Sequence, residues 1–70
     1  MPLTPDERKR RLGFGGLSKI ARMTRRTLGH ISHVNSENRR DAVVERAIVR
    51  EITRKHPDVS PEIVWPQSAA

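Results

Sequence analysis

The chain contains no cysteine and no tyrosine, and its aromatic residues are Phe14 and Trp65 alone. Without thiols there is no disulfide framework, no thiolate metal site and no cysteine redox chemistry. With so few rings the core must be aliphatic, and at 70 residues it must be small, so self-association is an expected source of extra stability. No apolar run approaches the roughly 18–20 residues of a membrane span. The charged start is unlike a secretory signal, and the expected location is cytoplasmic.

Carboxylates are scarce where cations are dense. Residues 1–40 carry ten Lys/Arg against Asp6, Glu7 and Glu37, a net of about +7, whereas residues 41–70 come to about −1. A uniformly solvated surface needs no such split, but a face opposed to a polyanion does. An acidic membrane surface fits less well, because no basic segment has a clean apolar opposite face.

What is present reads as a run of short helices. Thr4-Pro5-Asp6-Glu7 is a helix start: Thr4 caps, Pro5 suits the first helical position and Glu7 closes a capping box. That helix should reach Leu12 and end at Gly13. Its apolar content is poor (Leu12, flanked by Leu3 and Phe14), so docking must hold it. Residues 13–16 form a flexible connector, and no Walker-type lysine follows to make it a phosphate loop. A second helix over 17–23, a turn at Thr24-Arg25-Arg26 and a third helix over 28–34 capped by Thr27 come next. Asn35, Ser36, Glu37 and Asn38 break the pattern. Asn38 or Asp41 caps a long fourth helix ending near Lys55, before His56-Pro57. On it Val43, Val44, Ala47, Ile48 and Ile52 form one stripe, with Glu51 intruding. Ala42 and Val49 fall off it, as scattered surface residues or as a dimer contact. Asp58-Val59-Ser60-Pro61-Glu62 repeats the cap-then-proline signature and predicts a helical turn through Val64, with Trp65 folding back as a core lid. The expected organisation is one domain over 1–66 and a disordered tail over 67–70.

The stretch 17–34 is the most informative. Leu17, Ile20, Ala21, Leu28, Ile31 and Val34 fit two short helices joined by a tight turn, with a small Ala where the partner helix approaches. This is the pattern of a helix-turn-helix, whose second helix can enter the major groove of DNA. Gly29, His30, Ser32 and His33 point away from its apolar face. Gly costs roughly 1 kcal/mol in a helix interior, a cost that close backbone approach to DNA would explain. The candidate base-reading residues are Arg26, Leu28, Gly29, Ser32 and His33. The candidate phosphate contacts are Ser18, Lys19, Arg25, Thr27, His30, Asn35, Asn38, Arg39 and Arg40, the helix start near Thr27 adding its unpaired amides. Arg8, Lys9, Arg10 and Arg11 form either another clamp or a solvated helix face.

Enzyme readings are thin. His30 and His33 lack a cysteine or a suitably spaced carboxylate to complete a metal site, and Ser18, Ser32, Ser36 and Ser60 have ordinary capping or surface roles. A core this small leaves no deep substrate pocket. The expectation is no enzyme, no cofactor, no metal and no small-molecule substrate.

Residues 17–34 resemble the helix-turn-helix of the lambda-repressor/Cro-like family. Ile20 and Ala21 match the paired positions of the first motif helix, and Ile31 and Val34 the inward positions of the recognition helix, without gaps. Val59-Ser60-Pro61-Glu62-Ile63-Val64-Trp65-Pro66 is similar to the ending of the Ner-type repressors of Mu-like transposable phages, small proteins of comparable size. The two matches and the helix between them cover residues 17–66. The resemblance implies an all-α, compact four-to-five-helix domain that binds operator DNA, usually as a dimer, and regulates transcription without a cofactor. By position, Thr27, Leu28, Gly29, Ser32 and His33 fall where such proteins touch DNA. Two departures stand out: Thr24, Arg25 and Arg26 replace a turn that usually holds Gly with apolar neighbours, and Leu28 and Gly29 occupy places where polar base readers are common.

The resulting expectation is a sequence-specific transcriptional regulator of phage or mobile-element type, a repressor by resemblance. It would be nucleoid-associated and would act as a homodimer on double-stranded DNA, with no membrane partner. The alternative is a helix-turn-helix adaptor docking on the transcription machinery through its basic face. RNA binding fits less well, for want of exposed aromatics to stack on bases.

Overall fold

A 14-residue helix organises the molecule, and four shorter helices pack round it. In the computed structural model, which describes residues 1–66, the order is α1 Pro5–Leu12, α2 Gly16–Thr24, α3 Leu28–Asn35, α4 Ala42–Lys55 and α5 Pro61–Val64. All regular structure among these residues is helical. The expected tail at 67–70 lies outside the described residues. None of the described helices is long and apolar enough to cross a membrane.

Local chemistry sets the boundaries. At α1, Thr4 Oγ1 accepts from Glu7 N and Glu7 Oε1 accepts from Thr4 N, at 3.2 and 2.9 Å. These bonds and the nearby Arg10 and Arg11 hold the Glu7 carboxyl below the usual carboxylate range. α2 begins one residue earlier than the sequence pattern suggests. Gly16 is its first residue and is buried rather than part of a loose connector, because a Cβ there would lie 2.7 Å from Leu12 Cβ. Thr24, assigned to the turn, is the buried last residue of α2, its hydroxyl donating to Ile20 O at 2.7 Å. Asp41, not Asn38, caps α4, accepting from the amides of Val43 and Val44.

The aliphatic core comprises Leu3, Leu12, Ile20, Ala21, Ile31, Val34, Val44, Ile48, Val49, Ile52, Val59 and Val64, and it is closed by Trp65. The stripe on α4 is rotated from the expected one. Val44, Ile48 and Ile52 are fully buried as expected, but Val49 joins them and Val43 is exposed. At 100° per residue the buried positions 44, 45, 48, 49, 51 and 52 sweep an arc of roughly 160°, wide enough to face helices on several sides. Glu45 and Glu51 lie inside that arc, each closed over by cations.

The least expected core residue is Arg8, 1 % exposed. Its Nε donates to Asn35 Oδ1 at 3.1 Å and its Nη2 to Asn35 O at 2.6 Å and Glu37 Oε2 at 3.0 Å. Nη1 donates to Leu3 O and Val64 O, and the guanidinium lies 4.1 Å over the ring centroid of Trp65. Leu3 N donates to Ile63 O at 2.7 Å, closing the same seam. Arg8 is therefore neither a clamp nor a solvated side chain. It joins the start of the chain, the end of α3 and α5. Phe14, by contrast, stands fully exposed between two glycines.

Candidate nucleic-acid interface

The link between α2 and α3 is short because Arg25 turns the chain. It sits in the left-handed region at φ 58°, and the amides of Arg25 and Arg26 both fold back onto Ala21 O. A left-handed residue is the ordinary way to end a helix, and glycine takes that conformation with less strain. Thr27 then caps α3, its Oγ1 accepting from His30 N at 3.1 Å. Ile31 and Val34 are fully buried and fix α3 in the core, so its opposite side faces out.

On that side Gly29, Ser32 and His33 are exposed and Leu28 is 51 % exposed. The Leu28 position is a departure, since its spacing with Ile31 and Val34 placed it inward. Neither Ser32 nor His33 makes a side-chain hydrogen bond among the described residues. A Cβ on Gly29 would meet nothing within 4 Å. Packing therefore gives no reason for glycine at this point of α3. Ser18, at the start of α2, joins Leu28 and Ser32 in lining an open cleft of about 370 Å³ with Phe14, Leu17 and Lys9.

The basic residues divide into two sets. Arg25 and Arg39 are exposed without a partner among the described residues, as are Arg22, Arg46 and Arg50. The other set is matched within the chain. Arg26 Nε donates to Asp41 Oδ2 at 3.1 Å and its Nη1 to Thr24 O at 2.6 Å. His30 Nε2 lies 2.8 Å from the same Asp41 Oδ2. The His30 bond first, then Arg26 and the Val44 amide, hold the Asp41 carboxyl down at about 2. Arg26 and His30 are thus pinned by the cap of α4 rather than free, while Arg26 Nη2 remains open. Lys19 pairs with Glu51 at 3.0 Å, and Glu51 also takes Arg54, which with Lys19 lowers its pKa. Arg40 grips Glu45 through Nε and Nη2 at 3.0 and 2.9 Å.

Asn35 requires the clearest correction. Expected at phosphates where α3 leaves the groove, it is buried as the last residue of α3. It accepts from Arg8 and donates Nδ2 to Pro5 O at 3.2 Å. Asn38 is exposed beyond it, its backbone amide bonded to His33 O. Sequence reasoning missed Arg8 and the Asp41 cluster. The capping box fixes the start of α1 and puts Arg8 one turn before the buried Leu12, which is the signal that would have found it. No family model, curated protein or solved structure matches the chain.

Proposed function

We propose that the chain is a sequence-specific DNA-binding regulator of transcription built on a helix-turn-helix, with α2 and α3 as the motif and α3 laid in the major groove. The observation that carries this reading is the outward side of α3, where Leu28, Gly29, Ser32 and His33 are exposed and Gly29 stands in open space. A helix side with an open glycine and two unpartnered polar side chains suits close approach to base edges. Arg25 and Arg39, free at either end of α3, are the phosphate grips, with Thr27 and the first amides of α3 beside them. Ser32 and His33 read base edges, and Leu28 meets a thymine methyl. Arg26 contributes through the Nη2 that Asp41 leaves open.

Two copies on adjacent half-sites would stand one helical turn apart, roughly 34 Å. The backbone of one copy spans 28 Å along its longest axis, comparable with that spacing. The likeness of residues 59–66 to Ner-type repressors supports a phage or mobile-element origin.

A salt-titrated binding assay on random duplex, followed by selection from a random DNA pool, tests the reading. Affinity should fall linearly on a log-log plot, with a slope of about 0.9 per phosphate neutralised. Arg39→Ala should weaken all sequences alike, whereas His33→Ala should blur the selected consensus. Failure to bind any duplex at low salt would sink the reading and favour the adaptor, which the exposed Phe14 and Leu28 also suit.

A further inference from the structure

The rotation of α4 leaves apolar side chains outside. Val43 is 50 % exposed, Ala47 is only partly covered, and Met23 from α2, 52 % exposed, stands beside them. With Thr24 they line an open groove of about 260 Å³ between α2 and α4. Arg46 and Arg50 line the same groove, one turn apart, each exposed and without a partner among the described residues. No residue of the groove belongs to α3.

We infer that this groove is a docking site for an acidic amphipathic helix of another protein. Such a helix would seat apolar side chains on Met23, Val43 and Ala47 and set carboxylates one turn apart against Arg46 and Arg50. The charge pattern selects this occupant. A residue pair at i and i+4 on α4 advances about 6 Å along the axis, which matches carboxylates at the same spacing on a helix lying alongside. A second copy of this chain carries a formal net charge of +6, and groove against groove would set Arg46 and Arg50 facing the same cations. The carboxylates nearest in sequence, Glu45 and Glu51, are buried and engaged by Arg40, Lys19 and Arg54. A DNA backbone satisfies the arginines but leaves Met23 and Val43 facing phosphates, from which apolar surface gains nothing. A helix with an apolar stripe and acidic flanks satisfies both.

The test uses three fluorescein-labelled helical peptides about four turns long. The first carries a leucine stripe flanked by glutamates, the second replaces its leucines with serine, and the third replaces its glutamates with lysine. The first should bind and the other two should not. Amide resonances of Met23, Val43, Arg46 and Ala47 should shift, with those of α3 unmoved. Met23→Ser with Val43→Ser, a pair that leaves the charge unchanged, should weaken the first peptide about tenfold, and Arg46→Gln with Arg50→Gln should do the same. The serine pair should leave affinity for random duplex unchanged, so loss of this site and loss of DNA binding are separable. The inference is overturned by equal binding of the serine-substituted peptide, by no binding of the first peptide, or by peptide shifts that map to α3. It is equally overturned if duplex DNA shifts the groove resonances, or if they move with protein concentration alone, which would assign the groove to DNA or to a second copy.

Discussion

Arg8 and Arg25 are the same residue type in opposite settings. Arg8 is sealed in the seam between α1, α3 and α5, with its nitrogens bonded and its plane stacked on Trp65. Arg25 stands in a left-handed turn, exposed, with no partner among the described residues. The contrast shows that charge counted along a sequence overstates the charge a surface can offer. Of the basic side chains in the first forty residues, Arg8, Lys19, Arg26 and Arg40 are already matched by carboxylates of the same chain. Those left over are Lys9, Arg10 and Arg11 on α1, Arg22 on α2, and Arg25 and Arg39 before and after α3.

The sharpest way to break this contrast is Arg8→Ala. Removing a buried, fully bonded guanidinium leaves several carbonyls and Glu37 without their donor, which should cost about 3–5 kcal/mol. Urea unfolding followed by Trp65 fluorescence checks it, and Arg8→Lys, which keeps the charge but not the fork, should retain a measurable transition at lower urea. A loss below about 1 kcal/mol would place Arg8 with the surface cations. Next in size is Gly16→Ala, whose new methyl must displace Leu12 across the α1–α2 junction, at about 1–3 kcal/mol by thermal unfolding.

Asp41, which holds Arg26 and His30 just beyond the Arg25 turn, should give a smaller effect, seen in acid. Its carboxyl is held at about 2 against an ordinary 3.8, so the folded state favours the ionised form. That contribution is complete above about pH 4 and disappears as the pH falls toward 2. After solvent screening it amounts to about 1 kcal/mol, and Asp41→Asn, which keeps a capping side chain, should flatten this part of the pH–stability curve. The smallest effect has the opposite sign. Arg25→Gly relieves the left-handed strain and should stabilise the fold by about 0.5–1 kcal/mol, while weakening DNA binding by removal of one phosphate grip. Gly29→Ala should likewise raise stability by about 0.5–1 kcal/mol, since its methyl meets open space, and reduce duplex affinity. Stability gained with DNA affinity intact would remove both positions from the proposed interface.

The helices themselves were legible because their signals are local. Thr4, Pro5 and Glu7 mark the start of α1, Thr27 caps α3, and Ser60-Pro61 opens α5, each within a few residues of the backbone it controls. Trp65 was legible as a lid, since a lone large ring in an aliphatic chain seeks the interior. What local pattern did not carry was pairing over distance. Glu45 and Glu51 lie on the buried arc of α4, so hydropathy pulled the expected stripe toward Val43 and away from Val49. Arg8 and Asn35 meet across 27 residues, and each read alone as a surface polar group. Among the candidate site residues, exposure of Gly29, Ser32 and His33 followed from helical spacing. The capture of Arg26 and His30 by Asp41 did not, because it depends on where the start of α4 falls beside α3.

The seam around Arg8 also sets an order of assembly. Leu3 bonds to Ile63 and Arg8 to Val64, contacts that span most of the sequence, so this side of α1 is closed only by the end of the fold. α1 also packs against α2, α3 and α4, and Arg8 bonds Asn35 and Glu37, so those contacts can form first and the bonds to Ile63 and Val64 with the Trp65 stack come last. A chain truncated before Val64 would therefore leave the Arg8 guanidinium without its ring and one of its carbonyls, uncovered beside Lys9, Arg10 and Arg11. Docking of α5 and Trp65 withdraws one of those four charges into the interior.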